Sequence, residues 1–114
     1  MRVYQLAEEL SEEIDKILAM LPYAARKLAN HLEKSNESLG LNLMEGLTVF
    51  KPKVKASCFD ITRKETGEVR KVLRRIVRRK FIAQQLTHRA DGLANAMIGA
   101  MTNMIKQQEA REDQ

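Results

Sequence analysis

Residues 35–53 read SNESLGLNLMEGLTVFKPK. Leu39, Leu43, Leu47 and Phe50 recur at three- and four-residue steps, the repeat of a helix with one apolar side. Phe50-Lys51-Pro52 then ends the pattern, because proline lacks the backbone donor that a continuing helix needs and fits the first turn of a new one. The local plan is helix, corner, helix.

Working outward, the same plan repeats. The second helix is expected from Pro22 to Phe50, with Ala25, Leu28 and Leu32 extending its stripe and Ser35, Asn42, Glu45 and Gly46 falling on or beside it. Ahead of it, Val3, Leu6, Leu10, Ile14, Ile17, Leu18 and Leu21 define a first helix from Arg2 to Leu21, whose other face carries Glu8, Glu9, Glu12, Glu13 and Asp15. A third helix, Pro52 to Lys80, sets Val54, Cys58, Ile61, Val69, Val72, Leu73 and Ile76 inward. A fourth, Phe81 to Gln108, carries Ile82, Leu86, Ala90, Leu93, Met97, Met101 and Ile105, widened by Ile98 and Met104. Its methionines read as core filling. Four amphipathic segments with short breaks predict an all-α antiparallel four-helix bundle over residues 1–108, followed by a polar tail, 109–114, that frays.

Composition agrees with this plan. A chain of 114 residues makes one domain, and 4% aromatic residues with no tryptophan favour interlocking helices over a sheet. One cysteine, Cys58, cannot form an internal disulfide, so a reducing, cytoplasmic setting is expected. The acidic N-terminal stretch has no signal-peptide pattern, and no apolar run approaches the roughly 20 residues of a membrane span.

Charge is concentrated in one helix. From Arg63 to Lys80 there are Arg63, Lys64, Arg70, Lys71, Arg74, Arg75, Arg78, Arg79 and Lys80 against Glu65 and Glu68, a net +7 where the whole chain carries +5. Arg70, Arg74 and Arg78 step by four, as do Lys71, Arg75 and Arg79, so two like-charged rows lie side by side and repel by a few tenths of a kcal/mol per pair. An acidic counterpart is implied: the first helix's acidic face, within the chain or across a subunit interface, nucleic acid, or an acidic protein, the remaining reading being a purely solvated face. Rows of guanidinium forks suit phosphate. With no aromatics among the arginines, contact through phosphate is expected rather than base stacking.

Nothing in the sequence assembles a catalytic constellation. His31 and His88 are isolated, no metal-ligand spacing or phosphate-cradling loop occurs, and neither enzyme activity nor a cofactor is expected. Asn42 and Glu45, one turn apart, read as part of a polar network governing helix pairing, since a carboxylate and an amide alone make a poor metal site. Gly40 and Gly46 each cost a helix about 1 kcal/mol, which a close helix approach would offset.

Ser38-Leu39-Gly40-Leu41-Asn42-Leu43-Met44-Glu45-Gly46 resembles the S-I-P-x-N-I-A-E-G signature of the four-helix-bundle proteins encoded by 23S rRNA intervening sequences. Cys58-Phe59-Asp60-Ile61-Thr62 through Glu68 is similar to that family's F-F-E-I-A-x-G-S-x-x-E stretch, and the resemblance covers nearly the whole chain. Gly40 stands where proline is usual, and Lys64-Glu65 replace a Gly-Ser pair. The resemblance implies an up-down bundle assembled as a ring-like homopentamer. It also implies kinship with accessory variability proteins of diversity-generating retroelements, which bind a reverse transcriptase and nucleic acid. On it, Asn42, Glu45, Gly46 and Glu68 organise the fold. Two functions stay open: a nucleic-acid-binding accessory factor, or a structural oligomer whose arginines pair with acidic faces of neighbouring subunits.

Overall fold

The computed structural model describes residues 2–112, with side chains to Arg111. Four helices account for most of them: α1 (Arg2–Met20), α2 (Arg26–Thr48), α3 (Pro52–Arg78) and α4 (His88–Glu112). Single 3₁₀ turns, Tyr23–Ala25 and Gln84–Thr87, lead into α2 and α4. No strand occurs among the described residues. The helices form a rod of 51 × 21 × 21 Å, a four-helix bundle.

Local chemistry sets the corners. Pro22 is extended and starts the first 3₁₀ turn, so α2 opens at Arg26 rather than at Pro22. Pro52 begins α3, where its missing N–H costs nothing, behind an extended Lys51. α2 ends at Thr48, two residues before the expected end, and leaves Phe50 95% exposed instead of on the stripe. α3 ends at Arg78. There the Lys80 N–H donates to the Val77 carbonyl at 2.9 Å and the Phe81 N–H to the Ile76 carbonyl at 3.1 Å, with Lys80 at φ 63°. This double hydrogen bond closes a helix through a left-handed residue, a place usually given to glycine. Consequently α4 starts at His88, seven residues after the expected Phe81, and continues to Glu112. Residues 109–112 are thus helical, while 113 and 114 lie outside the described residues.

α2 and α3 make the most extensive contact, followed by α3 with α4; α1 rests on α4 and more thinly on α2. Leu10, Ile14, Ile17, Leu32, Leu39, Leu43, Phe59, Val69, Leu73, Ile76, Met97 and Met101 fill the centre and are essentially inaccessible. Five placements on α3 differ from the expected stripe. Val54 and Ile61 are 40% exposed at the edge of its stripe, while Phe59, Thr62 and Thr66 point inward. The threonines tolerate burial because each hydroxyl donates to the carbonyl four residues back, Thr62 to Cys58 at 2.9 Å and Thr66 to Thr62 at 2.7 Å. On α4 Ala94 joins the core, while Leu86, expected on the same stripe, lies in the 3₁₀ turn before it and stays half-exposed. No helix among the described residues is long and apolar enough to cross a membrane.

Candidate functional site

The basic helix divides into a paired half and an unpaired half. Arg63 donates to Asp60 at 2.7 Å and also reaches the Thr102 hydroxyl at 3.3 Å, while Lys64 lies 3.1 Å from the other Asp60 oxygen. Hydrogen bonds from Lys64 first, then Arg63, hold the Asp60 carboxyl below the usual carboxylate range. Lys71 lies 3.5 Å from Glu68, which also faces the His31 ring at 3.5 Å.

Arg70 makes the most complete contact. Its Nε donates to Asp91 Oδ1 at 2.8 Å, its Nη2 to Asp91 Oδ2 at 3.2 Å, and its Nη1 to the Asn95 carbonyl oxygen at 3.1 Å. This bidentate fork lowers the Asp91 carboxyl below its ordinary value, against the opposing effect of burial; Arg74 and His88 add smaller attractions. Asp91 is a counterpart that the periodicity of α3 alone could not reveal, since it arrives from α4. Within the chain, α1's acidic face does not serve α3. Its one link to a basic residue on another helix, among the described residues, is Glu13 with Arg89 of α4 at 3.6 Å.

Arg74, Arg75, Arg78, Arg79 and Lys80 have no carboxylate partner among the described residues, and all five are exposed. They occupy the last turn and a half of α3 and its cap. Arg79 lies over the Phe81 ring at 5.1 Å, and at the other corner Arg26 lies over the 80% exposed Tyr23 at 4.5 Å. Lys27 and Lys34 flank His31 on α2, so the His31–Glu68 contact carries the basic surface across from α3. Sequence reasoning centred on the arginine rows passed over these two lysines, although their seven-residue spacing with His31 between was visible.

The four residues assigned to a polar network are dispersed. Asn42 donates to the Ser38 carbonyl at 2.9 Å and approaches the Ser38 hydroxyl at 3.3 Å, within its own turn. Glu45 is exposed, and Glu68 pairs with His31 and Lys71. No hydrogen bond joins Asn42, Glu45 and Glu68 to one another among the described residues. Gly46 is a packing position: a Cβ there would lie 2.6 and 2.9 Å from Phe59 ring carbons and 3.1 Å from Cys58 Cβ. Its carbonyl accepts from the Lys55 ammonium, which places a cation at the C-terminal end of α2.

The model of the family described as 23S rRNA-intervening sequence protein matches residues 1–104. The chain belongs to that family. A crystal structure of a protein of unknown function from the S23 ribosomal protein family of Bacteroides thetaiotaomicron superposes with a TM-score of 0.82 at 18% identity, covering 91% of this chain and 98% of that one. At that identity the likeness shows the fold. No curated protein matches the chain significantly. In this intervening-sequence protein the two signature stretches meet where Gly46 seats against Cys58 and Phe59, so the recognisable sequence is the α2–α3 packing contact. Cys58 belongs to that contact. It is buried, and burial first, then the Glu45 charge, push its thiol up despite an opposing effect of Lys55, which leaves it a poor nucleophile. Among the described residues no group of three or more His, Cys, Asp or Glu could hold a metal ion.

Proposed function

We propose that this intervening-sequence protein is a non-catalytic, cytoplasmic nucleic-acid-binding accessory factor that contacts phosphate through the unpaired end of α3. The observation that carries the reading is the division of the basic helix. Arg63, Lys64, Arg70 and Lys71 form ion pairs with carboxylates, whereas Arg74, Arg75, Arg78, Arg79 and Lys80 form none among the described residues. Like charges at four-residue steps destabilise their own helix, and phosphate relieves this while releasing counterions. The bundle is an antiparallel up-down one, a topology supported by Gly46 meeting Phe59 while His31 meets Glu68, and a ring-like homopentamer is the assembly that the family resemblance suggests. A reverse transcriptase is the protein partner that the family resemblance suggests.

Salt titration of RNA and DNA binding tests the reading. With about four or five phosphates engaged, log affinity should fall against log salt with a slope of about −3 to −4. Arg74→Glu with Arg78→Glu should weaken binding at least tenfold and flatten that slope by about two. A salt-independent affinity, or one untouched by the double reversal, would exclude it.

A second reading has its own support. Glu8, Glu12 and Asp15 of α1 are exposed and have no cationic partner among the described residues, so a neighbouring subunit could present them to the arginines. In that case the same reversals should dissociate the assembly in light scattering, and the intact oligomer should bind nucleic acid poorly.

A further inference from the structure

Between the last turns of α3 and the start of α4 lies a cleft of about 240 Å³. Leu73 and Val77 line it with an apolar surface, and Arg74 and Arg78 stand on the α3 side. Gln84 and His88 face them from the segment that begins α4. The one carboxylate in the lining, Asp91, takes its hydrogen bonds from Arg70 and forms no ion pair with Arg74 or Arg78. The cleft therefore offers three unlike things within one small volume: two guanidiniums one helical turn apart with no ion-pair partner among the described residues, an apolar floor, and a rim of hydrogen-bonding groups. The side chains of Gln84 and His88 have no hydrogen-bond partner among the described residues.

An inorganic anion would use only the guanidiniums, and a plain hydrocarbon only the floor. A nucleotide uses all three, because its phosphate is a bidentate acceptor for arginine, its base is a flat apolar face, and the edge of that base donates and accepts hydrogen bonds. Size agrees, since the volume is below the roughly 300 Å³ at which sites for drug-sized ligands begin and suits one such unit rather than several.

We propose that this cleft holds a single nucleoside monophosphate unit, with its phosphate on Arg74 and Arg78, its base against Leu73 and Val77, and the edge of the base turned to Gln84 and His88. The inference deepens the nucleic-acid reading and rests on it for the source of the ligand: a base can enter the cleft only when unpaired, so the polymer bound is single-stranded or carries an unpaired residue. The phosphate-only contact expected from the arginine rows becomes a contact with one base as well. A free nucleotide presents the same chemistry, and the two sources separate in the test.

The full chain is titrated with a nucleoside monophosphate, the matching nucleoside and inorganic phosphate, followed by backbone amide NMR shifts, and separately with single-stranded and duplex oligonucleotides of equal length. The nucleoside monophosphate should bind at least tenfold more tightly than either of its parts and shift the amides of Gln84 and His88. Val77→Phe fills the cleft while keeping every cation. It should weaken nucleotide and single-strand binding about tenfold and leave duplex binding within twofold. Gln84→Ala, a surface change with little risk to folding, should cost the nucleotide several-fold. Inorganic phosphate binding as tightly as the nucleotide overturns the proposal, as does equal loss of single-strand and duplex binding in Val77→Phe. The two readings fail separately. Nucleotide binding without any oligonucleotide binding removes the accessory-factor reading and leaves the cleft as a site for a free nucleotide. Salt-sensitive oligonucleotide binding without nucleotide binding removes the cleft alone.

Discussion

Gly46 is held to hydrogen by the ring of Phe59, which is fully buried and has no room to retreat. Gly46→Ala should lower stability by about 2 kcal/mol through overpacking, outweighing the roughly 1 kcal/mol that alanine otherwise adds to a helix. At Gly40 the space a Cβ would take has no neighbour within 4 Å, so Gly40→Ala should raise stability by about 0.5–1 kcal/mol. Urea unfolding midpoints of the two variants should move in opposite directions. The sequence treats these glycines alike, because their intrinsic helix cost is the same and only a neighbour's position separates them. Lys80 is the reverse case, a residue with a Cβ in the left-handed region at the α3 cap. Lys80→Gly should stabilise the fold by about 1 kcal/mol in thermal unfolding. It also removes one of the five unpaired cations, so nucleic-acid affinity should fall while stability rises.

At the scale of the element, α3 and α4 are joined by the Arg70–Asp91 fork. Asp91 is ionised more readily in the folded chain than in the unfolded one, since the hydrogen bonds from Arg70 lower its pKa. The stabilisation is therefore complete above the unfolded aspartate value of about 3.9 and is lost as pH falls through the lower folded value. Asp91→Asn should cost about 1 kcal/mol at pH 7, a figure kept small because the carboxylate is partly exposed. Below about pH 4 its stability should change less steeply with pH than that of the unaltered chain, as measured by urea unfolding across the acid range. The helices themselves were legible from three- and four-residue periodicity, as were both proline corners. The break between α3 and α4 was placed at Lys80–Phe81, close to the observed end at Arg78, but the connection up to His88 was not legible, since it contains no proline and its stop depends on a lysine taking the place of glycine.

For the whole molecule, unequal packing decides which parts open first. α1 contacts α2 thinly, and a groove of about 570 Å³ lined by Tyr4, Ala7, Leu39, Leu41 and Met44 separates them. α2 and α3 share the most extensive interface. Amide hydrogen exchange should accordingly be fastest, among helix interiors, in α1, and slowest where α2 meets α3 around Leu39, Leu43, Phe59 and Val69. Uniform protection across all four helices would contradict this ordering. The candidate site was half legible at this scale. All nine cations from Arg63 to Lys80 stood out as charge, but the division into paired and unpaired groups was hidden, because Asp91 reaches Arg70 only after the chain has turned back.

The order of residues by itself determined that this protein is four amphipathic helices with a basic third one, because apolar spacing and proline placement act within a turn or two of the chain. The tertiary structure decided which arginines are already neutralised, which glycine is indispensable, and that Leu73, Val77, Gln84 and His88 share a cleft with Arg74 and Arg78. Those outcomes depend on distances between residues far apart in sequence, and such distances are set by the packing of one helix on another.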